Sequence, residues 1–198
     1  MTLRPSAAAP PDAHLILASH LRELFNRGPV PKALAGLSAQ AMSATQGYQV
    51  YSVNLDDLSA GRLLDAARPQ SWRYLLLEHG AAVAEADLQT DASGASRVVA
   101  VHRGPSAGGT AQALSAMAGT PALAQDDYEP RLLEIPGVHF VGLWLAGQAG
   151  QYIVPIAPDR SSLPRNQVLK EEEVLPVLRQ QAIEVLAQQR DKPGPSGG

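Results

Sequence analysis

Apolar positions along the chain switch between two spacings. Leu15, Ala18, Leu21, Leu24 and Phe25 follow Asp12 at helical intervals, with Asp12 placed to cap. Asn26-Arg27-Gly28-Pro29 stops that helix, since glycine suits the left-handed position after a helix and proline cannot continue one. Leu34, Leu37, Ala41 and Met42 predict a second helix from about Pro31 to Ala44, weakened by Gly36. Tyr48 to Val53 is rich in β-formers and reads as a short strand. Asn54 and Asp57 then resemble a helix start, with a helix expected over Leu55 to Ala67 and ended by Arg68-Pro69.

Two stretches read as β-hairpins. The first runs from Trp72 through Glu78, Ala81 to Leu88, a polar Thr90–Ala95 turn and Arg97 to His102. Tyr74 to Leu77 is continuously apolar, as in a strand covered on both faces. The second hairpin runs from His139 to Leu145 and from Gln151 to Ile156, about a Gly147/Gly150 turn. Between them, Gly104 to Thr110 reads as a loop leading into a helix with Ala113, Leu114 and Met117, and Arg131 to Ile135 adds a short strand. A last helix is predicted from Glu171 to Arg190, with Leu175, Leu178, Ala182, Val185 and Leu186 on one face. Glu171-Glu172-Glu173 offsets its dipole, and Pro176 fits only in the first turn.

This order predicts an α+β fold: a mainly antiparallel sheet of about five to six strands with helices packed on it. The turns between strands are too short for the crossovers of a parallel sheet. Residues 1–11 hold three prolines and little to bury, so they are expected to be a disordered leader. Residues 12–190 form a single α+β domain, and residues 191–198 a disordered tail.

Composition narrows the function classes. Charge is spread evenly: residues 1–47 carry 4 basic and 2 acidic groups, 48–119 carry 5 and 7, and 120–198 carry 7 and 10, for a net −3. None is the clustered basic footprint that nucleic acid requires. No cysteine is present, which excludes disulfides, thiolate catalysis and zinc–cysteine sites. No apolar run approaches the roughly 20 residues of a membrane span, and Ala7-Ala8-Ala9 precedes the Leu15-Ile16-Leu17 run where a signal peptide needs the reverse. A cytoplasmic protein is expected, and the alanine-rich, arginine-over-lysine usage suggests a bacterial source.

Candidate chemistry gathers around Ser106. Gly104-Pro-Ser-Ala-Gly108 fits the bare Gly-x-Ser-x-Gly pattern, with His102 just before it and His139 downstream as potential bases. Asp126 or Asp127 would complete the order Ser, Asp, His. Against this, the pattern needs a parallel strand–turn–helix context, and Ser106 or Thr110 suits a plain helix cap. The same loop offers an anion site from Arg103, Gly108, Gly109 and Thr110 at a helix N-terminus, without the lysine of a nucleotide loop. His14 and His20 are six residues apart, off the spacing of a helical metal pair; His79, His102 and Asp87 would have to converge from separate segments. Asp56-Asp57 suits a helix start, Asp126-Asp127 a solvated loop, and Trp144 a core position whose N–H needs a partner.

No catalytic, metal or cofactor motif is complete. The reading is therefore a non-catalytic binding or accessory protein that contacts another protein by a groove or a sheet edge, with neither nucleic acid nor membrane as partner. The alternatives are a small hydrolase built on Ser106 with His102 or His139, and an anion- or nucleotide-binding module using the Gly104–Thr110 loop.

Overall fold

A computed structural model describes residues 2–27, 29–117, 119–124, 126–148, 150–156 and 161–190, leaving the expected tail at 191–198 outside the described residues. In chain order the elements are β1 (Thr2–Leu3), α1 (Ala13–Asn26), β2 (Met42–Ala44), β3 (Tyr48–Ser52), α2 (Leu55–Ser59), β4 (Arg68–Glu78), β5 (Ala81–Thr90), β6 (Ser96–His102), α3 (Pro105–Met117), β7 (Asp127–Ile135), β8 (Phe140–Gly147), β9 (Gln151–Pro155) and α4 (Glu171–Arg190). The chain is α+β: four helices pack against one nine-stranded, mostly antiparallel sheet among the described residues. None of these helices is long and apolar enough to cross a membrane.

The sheet is wider than five to six strands. Its main path runs β6-β5-β4-β3-β7-β8-β9, with β1 added to β7 and β2 to β4. Two antiparallel meanders, β4-β5-β6 and β7-β8-β9, meet across β3, which pairs antiparallel with β4 and parallel with β7. Period-two alternation sorts the side chains to two faces. On one face α1 covers Trp72, Tyr74, Leu76, Ala84, Ala86 and Leu88. On that same face, over the other meander, α2 and α4 cover Leu133, Ile135, Trp144 and Ile153. On the opposite face α3 lies over Val50, Leu75, Leu132, Leu143 and Val154.

Several expectations are corrected. The leader does not stand free of the fold: Thr2–Leu3 pairs parallel with Asp127 and Tyr128, and the Arg4 N–H donates to the Tyr128 carbonyl at 2.9 Å. The lane exists because β3 pairs only with residues 131–134 of β7, leaving the first residues of that strand unpaired on one side. Pro130, with no N–H to donate, falls between the two pairings, where nothing is asked of it.

The helix expected over Pro31–Ala44 is a 3-10 turn at Lys32–Leu34 followed by β2, because Gly36 sits at φ +79° and turns the chain out of the helical region. The helix expected over Leu55–Ala67 stops at Ser59, closed by Gly61 at φ +84°. Its start is as read: the Asn54 side chain accepts the Asp57 N–H at 2.7 Å and donates to the Asp57 carboxylate at 2.8 Å. Asp127, expected in a loop, opens β7.

The last helix spans the expected residues, with Leu178 and Ala182 buried but Val185 and Leu186 only half-buried. Pro176 lies in its second turn. The carbonyl it orphans, on Glu172, is on an exposed residue that water can serve.

Candidate functional site

The loop expected at Gly104–Thr110 is the start of α3. Pro105 sits at the first helical position, where its fixed φ is pre-set for a helix and its missing N–H is no loss. Gly108 and Gly109 are therefore helical, and Thr110 is buried with its hydroxyl donating to the Ser106 carbonyl at 2.9 Å. Arg103 turns away and donates to the Ala35 carbonyl at 2.8 Å. Gly108, Gly109 and Thr110 thus lie in the first turns of α3, and Arg103 is engaged with Ala35.

Ser106 is partly buried, and its hydroxyl donates to Glu85 Oε2 at 2.8 Å. Glu85 is only 2% exposed, and its other oxygen, Oε1, has no hydrogen-bond partner among the described residues. It belongs to a cluster on the α3 side of the sheet. Arg73 on β4 makes a bidentate pair with its cross-strand neighbour Asp87, at 2.7 and 2.9 Å, and reaches across β3 to Glu134 on β7. Glu85 Oε2 lies 3.7 Å from the same guanidinium. Burial works against the Arg73 charge, but the hydrogen bond and charge of Asp87, with Glu134 and Glu85, hold it protonated well above its ordinary range. Burial also raises Glu85, only partly opposed by Arg73 and the Ser106 hydroxyl.

His102, directly opposite Glu85 on β6, places Nε2 3.4 Å from Asp87 Oδ2, and its ring is half-exposed. The cluster thus brings Ser106 and His102 to one corner of the sheet, each on its own carboxylate. His139 is elsewhere, in the left-handed turn residue between β7 and β8. Four strand spacings, about 19 Å, separate β6 from β7. His79 likewise sits in the β4–β5 turn, six residues and about 20 Å from Arg73 along β4. Among the described residues no three histidine, aspartate or glutamate side chains are placed to hold a metal ion.

A second region was not legible as a site in the sequence. On the face carrying α1 and α4, the helices leave a strip of sheet half-covered across β3, β7, β8 and β9. Gln49, Tyr51, Glu129, Arg131 and Gln151 line it, over Trp144, which is buried at 5% exposure. The Arg131 guanidinium stacks 4.8 Å from the Trp144 ring and 5.3 Å from Tyr51, and the two rings meet edge-on at 5.0 Å. Polar tips fix the arrangement: Arg131 Nε donates to Glu129 at 3.0 Å, the Trp144 N–H to Gln151 at 2.9 Å, and the Tyr51 hydroxyl to Gln49 at 3.1 Å. Gln49, Tyr51, Glu129 and Arg131 are on β3 and β7, inside the sheet, so their partial exposure reports a gap between helices, whereas Gln151 is exposed on the terminal strand β9. The available signal was period two over Asp127 to Leu132, where charged Asp127, Glu129 and Arg131 alternate with Tyr128, Pro130 and Leu132.

Comparison with known proteins adds no relative: no family model matches the chain, and no curated protein or solved structure matches it.

Proposed function

We propose that the chain is a non-catalytic binding or accessory protein, acting by contact with another protein across the half-covered strip of the sheet. The observation that carries this reading is the Tyr51–Arg131–Trp144 stack. Tyrosine and arginine are among the residue types that dominate binding energy at protein interfaces, and the buried Trp144 gives them a fixed base. Here they are held by neighbours rather than left to reorganise, which lowers the entropy cost of docking. The proposal includes a cytoplasmic location, checked by fractionating the native host.

The test is quantitative affinity enrichment from that host with the wild-type chain, a Tyr51→Ala/Arg131→Ala double variant and a Ser115→Ala control on the exposed side of α3. A partner enriched by wild type and control, and lost from the double variant, supports the reading. Equal enrichment by all three overturns the assignment to this strip.

A second reading, a hydrolase built on Ser106, is favoured by one observation: the Ser106 hydroxyl rests on a carboxylate whose proton affinity is raised. The first reading stands ahead of it, because Ser106 is bonded to Glu85 and His102 to Asp87, and the serine and histidine are not joined to each other. A fluorophosphonate probe separates them. The binder reading expects no labelling, and stoichiometric labelling lost in Ser106→Ala would establish the hydrolase.

A further inference from the structure

We propose that the leader strand exchanges between two copies of this chain, so that β1 of one copy fills the lane on β7 of the other. The lane is a receptor for an extended segment, since the chain's own residues already occupy it. Thr2 lies opposite Asp127 and Leu3 opposite Tyr128, in parallel register. Arg4 donates its N–H to the Tyr128 carbonyl and pairs its guanidinium with the Asp127 carboxylate. Leu3 packs against the α3-side core. Each of these contacts can be made with the same geometry by a second copy, which is the general route to a swapped dimer.

Two features favour exchange, the small hold on the strand and an exposed leucine beside the hinge. The hold in one chain is modest: two residues of ladder, one further backbone hydrogen bond from Arg4, a half-buried leucine, Ala9 packed on the α1-side core, and an ion pair whose arginine is 71% exposed, a type worth at most about 1 kcal/mol. The link from Arg4 to α1 carries Pro5, Pro10 and Pro11, whose fixed φ restricts its paths, and in one chain it folds back through a turn in which the Ala9 N–H donates to the Ser6 carbonyl at 3.2 Å. Leu15, in the first turn of α1 just past this hinge, is 75% exposed, against 43% and 40% for the next large hydrophobics. An exchanged dimer that brings the two hinges together would cover a leucine that the single copy leaves in water. Exchange competes with an intramolecular lane at an effective concentration of about 1 mM, so the dimer fraction rises with protein concentration.

The chain has no cysteine, which makes the test clean. Full-length Thr2→Cys and Asp127→Cys are mixed at high concentration under an oxidising glutathione buffer. Cross-strand neighbours lie within the reach of a disulfide, about 4.4–6.8 Å between Cα atoms. The control mixes Thr2→Cys with Ser115→Cys, an exposed position on α3. The expected result is a covalent dimer joining the two variants, in roughly ten-fold excess over the control, growing with concentration and reduced by Leu15→Ser. No excess over the control at any concentration overturns the proposal. The Thr2→Cys/Asp127→Cys double variant, closing within one chain when dilute, reports independently that the lane is formed.

Discussion

Glu85 carries the sharpest prediction at the residue scale. Burial raises its proton affinity above the ordinary carboxylate value of 4.5. Between that value and the raised one, the folded chain holds a proton that the unfolded chain has released. The stability from this group is therefore full below about pH 4.5 and is lost as pH rises through the raised value. Glu85→Gln keeps an acceptor for Ser106 and cannot ionise. It is expected to melt higher than wild type at pH 7.5, with the gap closing at pH 4; a gap that opens instead on acidification would contradict the burial argument. Arg73→Met goes the other way. It leaves Asp87, Glu85 and Glu134 together without their cation, and breaking a buried pair costs about 3–5 kcal/mol. Acid should recover part of that loss, read as a smaller difference in melting temperature at pH 4. None of this network was visible beforehand, because nothing in the order of residues says that Arg73 and Glu134, 61 positions apart, will meet across β3.

Elements with strong local grammar were legible and those without it were not. The α4 face was readable because Leu175, Leu178, Ala182, Val185 and Leu186 recur at helical spacing over about three turns, and Leu178 and Ala182 are fully buried against α2 and β9. Leu178→Asp is expected to cost at least about 3 kcal/mol in denaturant unfolding, since it buries an unpaired charge in place of an apolar contact. The β4–β5 turn was bounded correctly by His79-Gly80, which occupy φ +50° and +83°, as a two-residue hairpin with both centres left-handed requires. Histidine is a poor occupant there; His79→Asn should stabilise by about 0.5 kcal/mol, a rise of roughly 1–2 °C in melting temperature. An unchanged or lower midpoint would mean that the histidine ring has a role the backbone does not explain. The missed strand β2 and the shortened α2 are where one glycine at positive φ overrides several residues of weak helical pattern.

At the scale of the whole molecule, antiparallel hairpins were readable from short turns, whereas the parallel contacts β3–β7 and β1–β7 were not. Parallel partners are distant in sequence and leave no local mark. Those contacts also decide the candidate site. By joining two meanders edge to edge, β3 makes a sheet too wide for α1, α2 and α4 to cover, and Tyr51 and Arg131 lie where coverage fails, above the buried Trp144. Trp144 was read as a core residue in need of a partner for its N–H, which Gln151 supplies; its neighbourhood depended on topology. The central claim, that a partner docks on this strip, is tested most directly by site-specific photo-crosslinking in the native host. A benzophenone amino acid is placed at Gln49 or Gln151 on the strip, and at Ser115 on α3 as the reference. One discrete adduct from the strip positions, absent from Ser115, is expected. Adducts from neither strip position, or the same adducts from all three, would contradict the account.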